Sequence, residues 1–179
     1  TIELRASIVL GAGSLSFEMI RALTEHLPLM VMPKWVSVKA QPIGIQDLLD
    51  FLVQSIDVQT PISRVIEIGG ADQVSYRDLM VEYARQQNLH RLMIPVPVLT
   101  PWLSSHWLGL VTPLQAAVGR KLIESIRNPT VVTDSAAKRL YDIRPCDAAT
   151  AISKAIHEID PAYEDASLLS GMRPLRLAG

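Results

Sequence analysis

Two glycines near the start of the chain belong to the most suggestive short motif in the sequence. The segment Gly11-Ala12-Gly13-Ser14-Leu15-Ser16 follows an apolar run and precedes a helical pattern. Free backbone N–H groups at the start of a helix bind anions, so a strand, a glycine turn and a helix together indicate a phosphate cradle. A tight turn capped by Ser14 or Ser16 explains the same residues without any ligand.

The motif lacks two features of a dinucleotide-binding fingerprint. Ser16 stands where the fingerprint has Gly or Ala. No acidic residue lies in the stretch from Met30 to Lys34, about 20 residues further on, where the fingerprint has the residue that holds the ribose. A free-standing dinucleotide binder that uses Gly11 and Gly13 is therefore the third of the hypotheses that we carry forward.

Other catalytic signatures are absent from the sequence, and we name no catalytic residue. No Tyr is followed four residues later by Lys, and neither a Gly-x-Ser-x-Gly elbow nor a phosphate loop occurs. The four histidines lack metal-ligand spacing, so we predict no metal site. Cys146 is the only cysteine, and its acidic neighbour Asp147 disfavours the thiolate that a nucleophile needs.

A dense apolar group surrounds Trp102 and Trp107, with His106 between them in the sequence. Core packing explains this group, and so does a wall over an apolar ligand. It lies in the longest stretch without Asp, Glu, Lys or Arg, which runs from Leu92 to Gly119. Four prolines divide that stretch, so we do not expect it to span a membrane.

The composition indicates a single domain with a packed core. The chain has 179 residues, of which 49% are hydrophobic, and a formal net charge of −1. Near-neutral charge gives no electrostatic footprint for nucleic acid or for an anionic membrane. With one cysteine and no disulfide framework, we expect a reducing, cytoplasmic setting.

The elements that position these residues alternate between strands and helices, which predicts an α/β architecture with parallel strands. The predicted strands are Ile2–Leu10, Leu29–Met32, Arg64–Ile68 and Leu92–Pro97, with a further extended piece at Trp35–Val38. The predicted helices run over about 16–26, from Asp47 through Ile56, from Ser75 to about Asn88, over 101–109 and 113–127, and from a cap at Asp147 to a stop at Pro161.

The order of these pieces resembles the later half of atypical short-chain dehydrogenase/reductase proteins, of the kind described as NAD(P)-dependent epimerase/dehydratase-like or nucleoside-diphosphate-sugar epimerase-like. The resemblance covers nearly all of residues 1 to about 160. Its motifs are Leu4-Arg5-Ala6 through Gly11–Ser14, Phe17–Arg21, Pro33–Val36, Gln41-Pro42-Ile43 with Asp47, Ile68-Gly69-Gly70 with Ser75–Met80, Ile94–Pro97, Leu99–Pro101 and Gly109–Pro113.

The resemblance implies the C-terminal part of a Rossmann-like parallel sheet with few strands, plus a mostly helical substrate-side region. It implies late strands and helices over 1–72, the substrate-side part over 73–169, both in one domain, and a tail over 170–179. In such proteins the cofactor fingerprint and any catalytic Tyr and Lys precede the segment present here. NAD or NADP is therefore implied for a full-length protein, with none bound by this chain alone.

The resemblance also implies where a substrate would lie. The Gly11–Ser14 turn would lie near the nicotinamide and the substrate, so Gly11 and Gly13 are the cofactor-side candidates. The substrate-side candidates are Ser14, Ser16, Gln41, Trp102, His106 and Trp107. The first hypothesis is thus a truncated, substrate-side portion of a reductase or epimerase, not competent alone. The second is a non-enzymatic oligomeric module that holds an apolar ligand.

A sheet reduced to its last strands has a physical consequence. It leaves an unpaired apolar edge at Ile2–Leu10 or at Arg64–Ile68, and such edges pair with another strand. We therefore expect a homo-oligomer or a missing N-terminal half as the partner, and no nucleic acid or membrane.

Overall fold

The computed structural model describes residues 1–96 and 128–170. Eight short strands and five α-helices occur in these residues. The strands are β1 (Ile2–Ala6), β2 (Val9–Leu10), β3 (Leu29–Pro33), β4 (Lys39–Ala40), β5 (Ile43–Gly44), β6 (Arg64–Ile68), β7 (Val74–Ser75) and β8 (Leu92–Val96). The helices are α1 (Leu15–His26), α2 (Ile45–Asp57), α3 (Tyr76–Gln86), α4 (Ala136–Leu140) and α5 (Ala148–Ser170).

The strands form four pairs, three of them parallel. β1 pairs with β6, β2 with β5 and β3 with β8 in parallel, whereas β4 pairs with β7 antiparallel. Each parallel pair joins strands that are distant in sequence, with at least one helix between them. This arrangement confirms the α/β class with parallel strands.

Two hydrophobic clusters hold the elements together. The larger one packs α1, α3 and α5 against β2 and β3, and Phe17 meets Tyr83 edge-on with ring centroids 5.9 Å apart. The smaller one lies between the inner face of the β1–β6 pair and α2 and α4, where Phe51 meets Tyr141 edge-on at 5.1 Å. Edge-to-face contacts of this kind add about 1 kcal/mol beyond the area that the rings bury.

The helix starts follow local sequence signals. Ser75 forms a capping box, because Asp78 N–H donates to its hydroxyl while its own N–H donates to Asp78 Oδ2. The predicted cap of the last helix is also present, since Thr150 N–H donates to Asp147 Oδ1 at 2.8 Å. Asp72 adds a second acceptor there, for Ala148 N–H at 2.9 Å.

The structure corrects three of the predicted elements. Ile2–Leu10 is two strands, since Ser7 and Ile8 leave the first ladder and the chain then pairs with β5 instead of β6. Trp35–Val38 is not extended, because Lys34–Ser37 forms a 3₁₀ turn that buries Val36.

The third correction concerns the last helix, which does not stop at Pro161 but continues to Ser170. A proline removes one N–H, here the donor to the His157 carbonyl, and the hydrogen bonds on either side can continue the helix. The helices predicted over 101–109 and 113–127 lie outside the described residues. No helix in residues 1–96 and 128–170 is long and apolar enough to cross a membrane.

Candidate functional site

The glycine turn is a capped helix start whose polar groups are satisfied internally. The Ser14 hydroxyl donates to the Val9 carbonyl at 2.7 Å and accepts the Phe17 N–H at 3.2 Å. Ser14 therefore is the cap of α1, and Ser16 lies half-buried in the first turn of that helix. Of the two serines that the sequence left open as caps, the structure selects Ser14.

Both predicted cofactor-side glycines have conformational roles. A Cβ on Gly11 would lie 2.7 Å from the Cβ of Ile45, so this buried residue has no room for a side chain. Gly13 has φ +75°, in the left-handed region that favours glycine.

A carboxylate occupies the outward-facing side of this turn. Gly13 N–H donates to Glu18 Oε1 at 3.3 Å, and Glu18 also pairs with Arg21 at 3.4 Å. A phosphate bound at the turn would compete with this acceptor and meet its negative charge. Binding of a phosphate at the turn therefore requires Glu18 to move away from the Gly13 N–H, and the predicted cofactor-side role of Gly11 and Gly13 stays a prediction.

Gln41 joins three segments with its side-chain amide. Its Nε2 donates to the Gly70 carbonyl at 2.7 Å, and its Oε1 accepts Val132 N–H at 3.1 Å. Its backbone N–H donates to the Thr130 carbonyl at 3.0 Å. Gln41 thus fixes the segment from 128 to 133 beside the Gly69-Gly70 turn; its predicted contact with substrate stays a prediction.

Cys146 is held by a carboxylate that the sequence did not indicate. Its Sγ donates to Asp47 Oδ2 at 3.1 Å, and its N–H donates to the same oxygen at 3.0 Å. Burial and the negative charge of Asp47 raise the pKa of the Cys146 thiol to about 11. Burial and Asp47, rather than the sequence neighbour Asp147, therefore keep the thiol protonated at neutral pH.

A cleft opens at the carboxyl end of β1, where ligands bind in open α/β sheets. Its volume is about 230 Å³. It is lined by Ala6, Ser7, Ile8, Val38, Lys39, Ala40, Tyr76, Asn128 and Thr130. A second hollow of about 300 Å³ adjoins it and shares Ala6, Ser7 and Thr130 with it. The Ser7 and Thr130 hydroxyls lie 2.5 Å apart where the two spaces meet.

Tyr76 is the unusual residue of this cleft. The residue is only 6% exposed, and its hydroxyl has no hydrogen-bond partner among residues 1–96 and 128–170. Burial raises the pKa of Tyr76 to about 12, so the hydroxyl keeps its proton. Most buried side-chain hydroxyls in proteins are paired, which makes an unpaired one at the wall of a cleft a candidate ligand contact.

A charged pair borders the cleft next to Tyr76. Lys39 Nζ lies 3.3 Å from Asp78 Oδ2. Partial burial opposes ionisation of Asp78, but the Ser75 N–H and Lys39 outweigh it, so the pKa of Asp78 lies below its usual value. Lys39 is about half exposed, and its ammonium group can therefore also reach a ligand in the cleft.

Glu67 fixes the wall of the second hollow. Its Oε2 accepts Thr133 N–H at 2.7 Å and the Thr133 hydroxyl at 2.8 Å. These two hydrogen bonds lower the pKa of Glu67. The segment from 130 to 133 is thus held on one side by Gln41 and on the other by Glu67.

The structure brings together residues that sequence reasoning missed. Ser7, Tyr76 and Thr130 line one cleft, although they come from three distant parts of the chain. No sequence signal indicated Ser7, because the predicted strand Ile2–Leu10 placed it in the interior of the strand. Of the predicted substrate-side residues, Trp102, His106 and Trp107 lie outside the described residues, while Ser14, Ser16 and Gln41 do not line the cleft.

No group of three or more His, Cys, Asp or Glu that could hold a metal ion occurs in the part of the chain that the structure describes. No protein-family model matches the sequence, and no curated protein matches it.

Solved structures that share this fold include reductases and epimerases. The dTDP-4-dehydrorhamnose reductase of Bacillus anthracis, in complex with NADP, is 11% identical with a TM-score of 0.58; the match covers 88% of this chain and 48% of that one. The UDP-glucuronic acid 4-epimerase of Bacillus cereus, in complex with NAD, is 15% identical with a TM-score of 0.59. This match covers 90% of this chain and 45% of the epimerase chain.

A third match is the ADP-L-glycero-D-manno-heptose-6-epimerase of Helicobacter pylori, which is 12% identical with a TM-score of 0.57. This match covers 89% of this chain and 43% of the epimerase chain. The chain thus spans about half the length of the structures that it matches. The predicted resemblance is confirmed at the level of the fold: this chain has the Rossmann-type α/β fold of such reductases and epimerases.

Proposed function

We propose that this chain is the substrate-side portion of a nicotinamide-dependent reductase- or epimerase-like protein, and that it binds a small polar substrate in the cleft at the end of β1. The shared fold and the coverage of about half of each matched chain support this assignment. So does the position of the cleft, at the carboxyl end of a parallel strand.

The observation that carries the proposal is the hydroxyl of Tyr76, which has no hydrogen-bond partner among the described residues. A buried hydroxyl that has lost its hydrogen bonds to water costs roughly 1–3 kcal/mol. A ligand with a polar oxygen in the cleft recovers part of that cost by pairing with it. The hydroxyls of Ser7 and Thr130 and the ammonium group of Lys39 offer further hydrogen bonds. This set suits a polyhydroxylated, oxygen-rich molecule such as a nucleotide sugar.

The same chain does not bind the cofactor on its own in this proposal. The Gly11–Ser16 turn directs a carboxylate, Glu18, at the N–H that a phosphate would need. The cofactor would supply the hydride transfer, and the protein portion that grips its pyrophosphate lies elsewhere. The residues of this chain bind and orient the substrate, and we assign none of them a proton-transfer step.

UDP-glucuronic acid, a ligand of one structural relative, is a suitable probe because it is rich in hydroxyl groups. We expect it to bind the 179-residue chain, as measured by isothermal titration calorimetry. Tyr76→Phe removes only the hydroxyl and is expected to weaken binding by about 2- to 10-fold, which corresponds to one hydrogen bond.

Tyr83→Phe is the matched control, since the Tyr83 hydroxyl is bonded to Glu25 and does not line the cleft. Its affinity for UDP-glucuronic acid should equal that of the unmodified chain. Absence of binding to the unmodified chain, or equal affinities for the two tyrosine variants, would contradict the proposal.

A further inference from the structure

The segment 128–133 forms the wall that the two hollows share. Thr130 lines both spaces, and its hydroxyl lies 2.5 Å from that of Ser7. The segment lies outside the helices and strands of the described residues and joins them through an isolated β-bridge between Ala40 and Thr130. A segment with so little regular hydrogen bonding depends on side chains for its position. Its placement therefore sets the shape of the cleft.

Gln41 bonds to this segment through its backbone and through its side chain. Its N–H donates to the Thr130 carbonyl at 3.0 Å, and its Oε1 accepts the Val132 N–H at 3.1 Å. Its Nε2 donates to the Gly70 carbonyl at 2.7 Å, so one amide group ties the segment to the turn after β6. This amide is half-buried, and hydrogen bonds are stronger there than in full contact with water.

The turn after β6 packs directly against Gln41. A Cβ on Gly69 would lie 2.7 Å from Gln41 Cγ, and one on Gly70 would overlap the carbonyl oxygen of Pro42. Pro42 is fully buried, and its carbonyl accepts the Gly70 N–H at 2.8 Å. Two residues without side chains are therefore needed for this close approach. The Gln41-Pro42 and Gly69-Gly70 motifs of the sequence are thus one packing unit.

We propose that Gln41 is a positioning residue for the cleft: its side-chain amide holds the segment 128–133 where Thr130 meets the substrate. The inference rests on the proposed function, which places the substrate in this cleft, and Gln41 itself does not contact the substrate in it. An amide suits both of its partners, because it offers a donor to the Gly70 carbonyl and an acceptor to the Val132 N–H.

Amide hydrogen exchange of the ligand-free chain tests this role without any substrate. Gln41→Met keeps the length of the side chain but removes the amide, so the Val132 amide should exchange about 3- to 10-fold faster, the effect of losing one hydrogen bond. Amides in the middle of α1, whose hydrogen bonds do not involve Gln41, should keep their rates. Gln46→Met is the matched control, since Gln46 is exposed and belongs to α2.

Gln41→Glu adds a readout that a simple loss of packing would not give. At neutral pH the new carboxylate has no donor for the Gly70 carbonyl and is repelled by it, so protection of the Val132 amide should fall. Protonation supplies the missing donor. Protection, corrected for the intrinsic exchange rate, should therefore recover as the pH falls to 4.5. Glu67 still holds Thr133 over that range, because its pKa lies below 4.5.

Titration of UDP-glucuronic acid connects the segment to the cleft. Gln41→Met should weaken its binding by about 2- to 10-fold, and Gln46→Met should leave it unchanged. An unchanged exchange rate at Val132 in Gln41→Met, an equal acceleration throughout α1, or an unchanged affinity for UDP-glucuronic acid would overturn the inference. Faster exchange at Val132 without any binding by the unmodified chain would support the placement of the segment by Gln41 and contradict the proposed function alone.

Discussion

At the scale of single residues, two tyrosines differ in what their hydroxyls do. The Tyr83 hydroxyl donates to Glu25 at 2.5 Å, whereas that of Tyr76 has no partner in the described part of the chain. Tyr83→Phe should therefore lower the free energy of unfolding by about 1.5 kcal/mol, since a hydrogen bond to a charged group is lost.

Tyr76→Phe should leave the same free energy unchanged or raise it by up to about 1–3 kcal/mol, because no native hydrogen bond is lost and a buried hydroxyl without a partner is removed. Urea unfolding of the two variants measures both values. A loss at Tyr76 as large as that at Tyr83 would mean that the Tyr76 hydroxyl is already paired in the free protein.

Glu67 makes the wall of the second hollow sensitive to acid. Its pKa in the folded protein is lowered from 4.5 by the two hydrogen bonds from Thr133. The stabilisation that it contributes is therefore complete above pH 4.5 and is lost as the pH falls through the lowered folded value.

We expect the amide of Thr133 to lose protection from hydrogen exchange in that acid range. In Glu67→Gln the same amide should exchange faster near neutral pH and respond less to acid. Protection that is unchanged by acid in the unmodified chain would show that Glu67 does not hold this segment.

At the scale of elements, the close approach of Gly11 to Ile45 joins the first helix start to the second. Gly11→Ala forces a Cβ into a space with no room for it and should destabilise the fold by about 1–3 kcal/mol. Gly13→Ala is the comparison, since nothing lies within 4 Å of its Cβ position and only its positive φ is penalised, by roughly 1–2 kcal/mol. In urea unfolding, Gly11→Ala should have a lower free energy of unfolding than Gly13→Ala. The reverse order would contradict the close packing of Gly11 against Ile45.

Local signals determined which elements were predictable. The helix starts at Ser75 and at the Asp147 cap depend on residues within three positions, and both were predicted from the sequence. The break after Ala6 was not, because it depends on pairing with Arg64–Ile68 and Ile43–Gly44, far along the chain. The short helix α4 was missed for a similar reason, since it is stabilised by packing over β6 rather than by a long apolar pattern.

The candidate site was harder to predict than the fold. Tyr76 directly follows a cap and looks like an ordinary first-turn residue, and Thr130 lies in a segment without a clear pattern. Backbone hydrogen bonds of Thr130 with Lys39 and Gln41, together with side-chain hydrogen bonds from Ser7, Gln41 and Glu67, hold this segment at the end of β1, and all of these partners are distant in the sequence. The stripe Leu49, Leu52, Val53 and Ile56 was recognised as helical, but its exposure was not evident from spacing alone.

At the scale of the whole molecule, the chain spans about half the length of the Rossmann-type structures that it matches. It has a cleft at the carboxyl end of β1 and exposed apolar side chains on α2, and Glu18 accepts an outward N–H of its glycine turn. The proposed function explains these features by a cofactor that is held outside this chain, and the choice of unpaired edge between Ile2–Leu10 and Arg64–Ile68 stays a prediction.

The most direct test is a fluorescence titration of NADH and of NADPH with the isolated 179-residue chain. The proposed function predicts no saturable change in the emission of either nucleotide at protein concentrations up to about 1 mM, a range that detects even weak complexes. Saturable binding of either nucleotide by this chain alone would contradict the central claim.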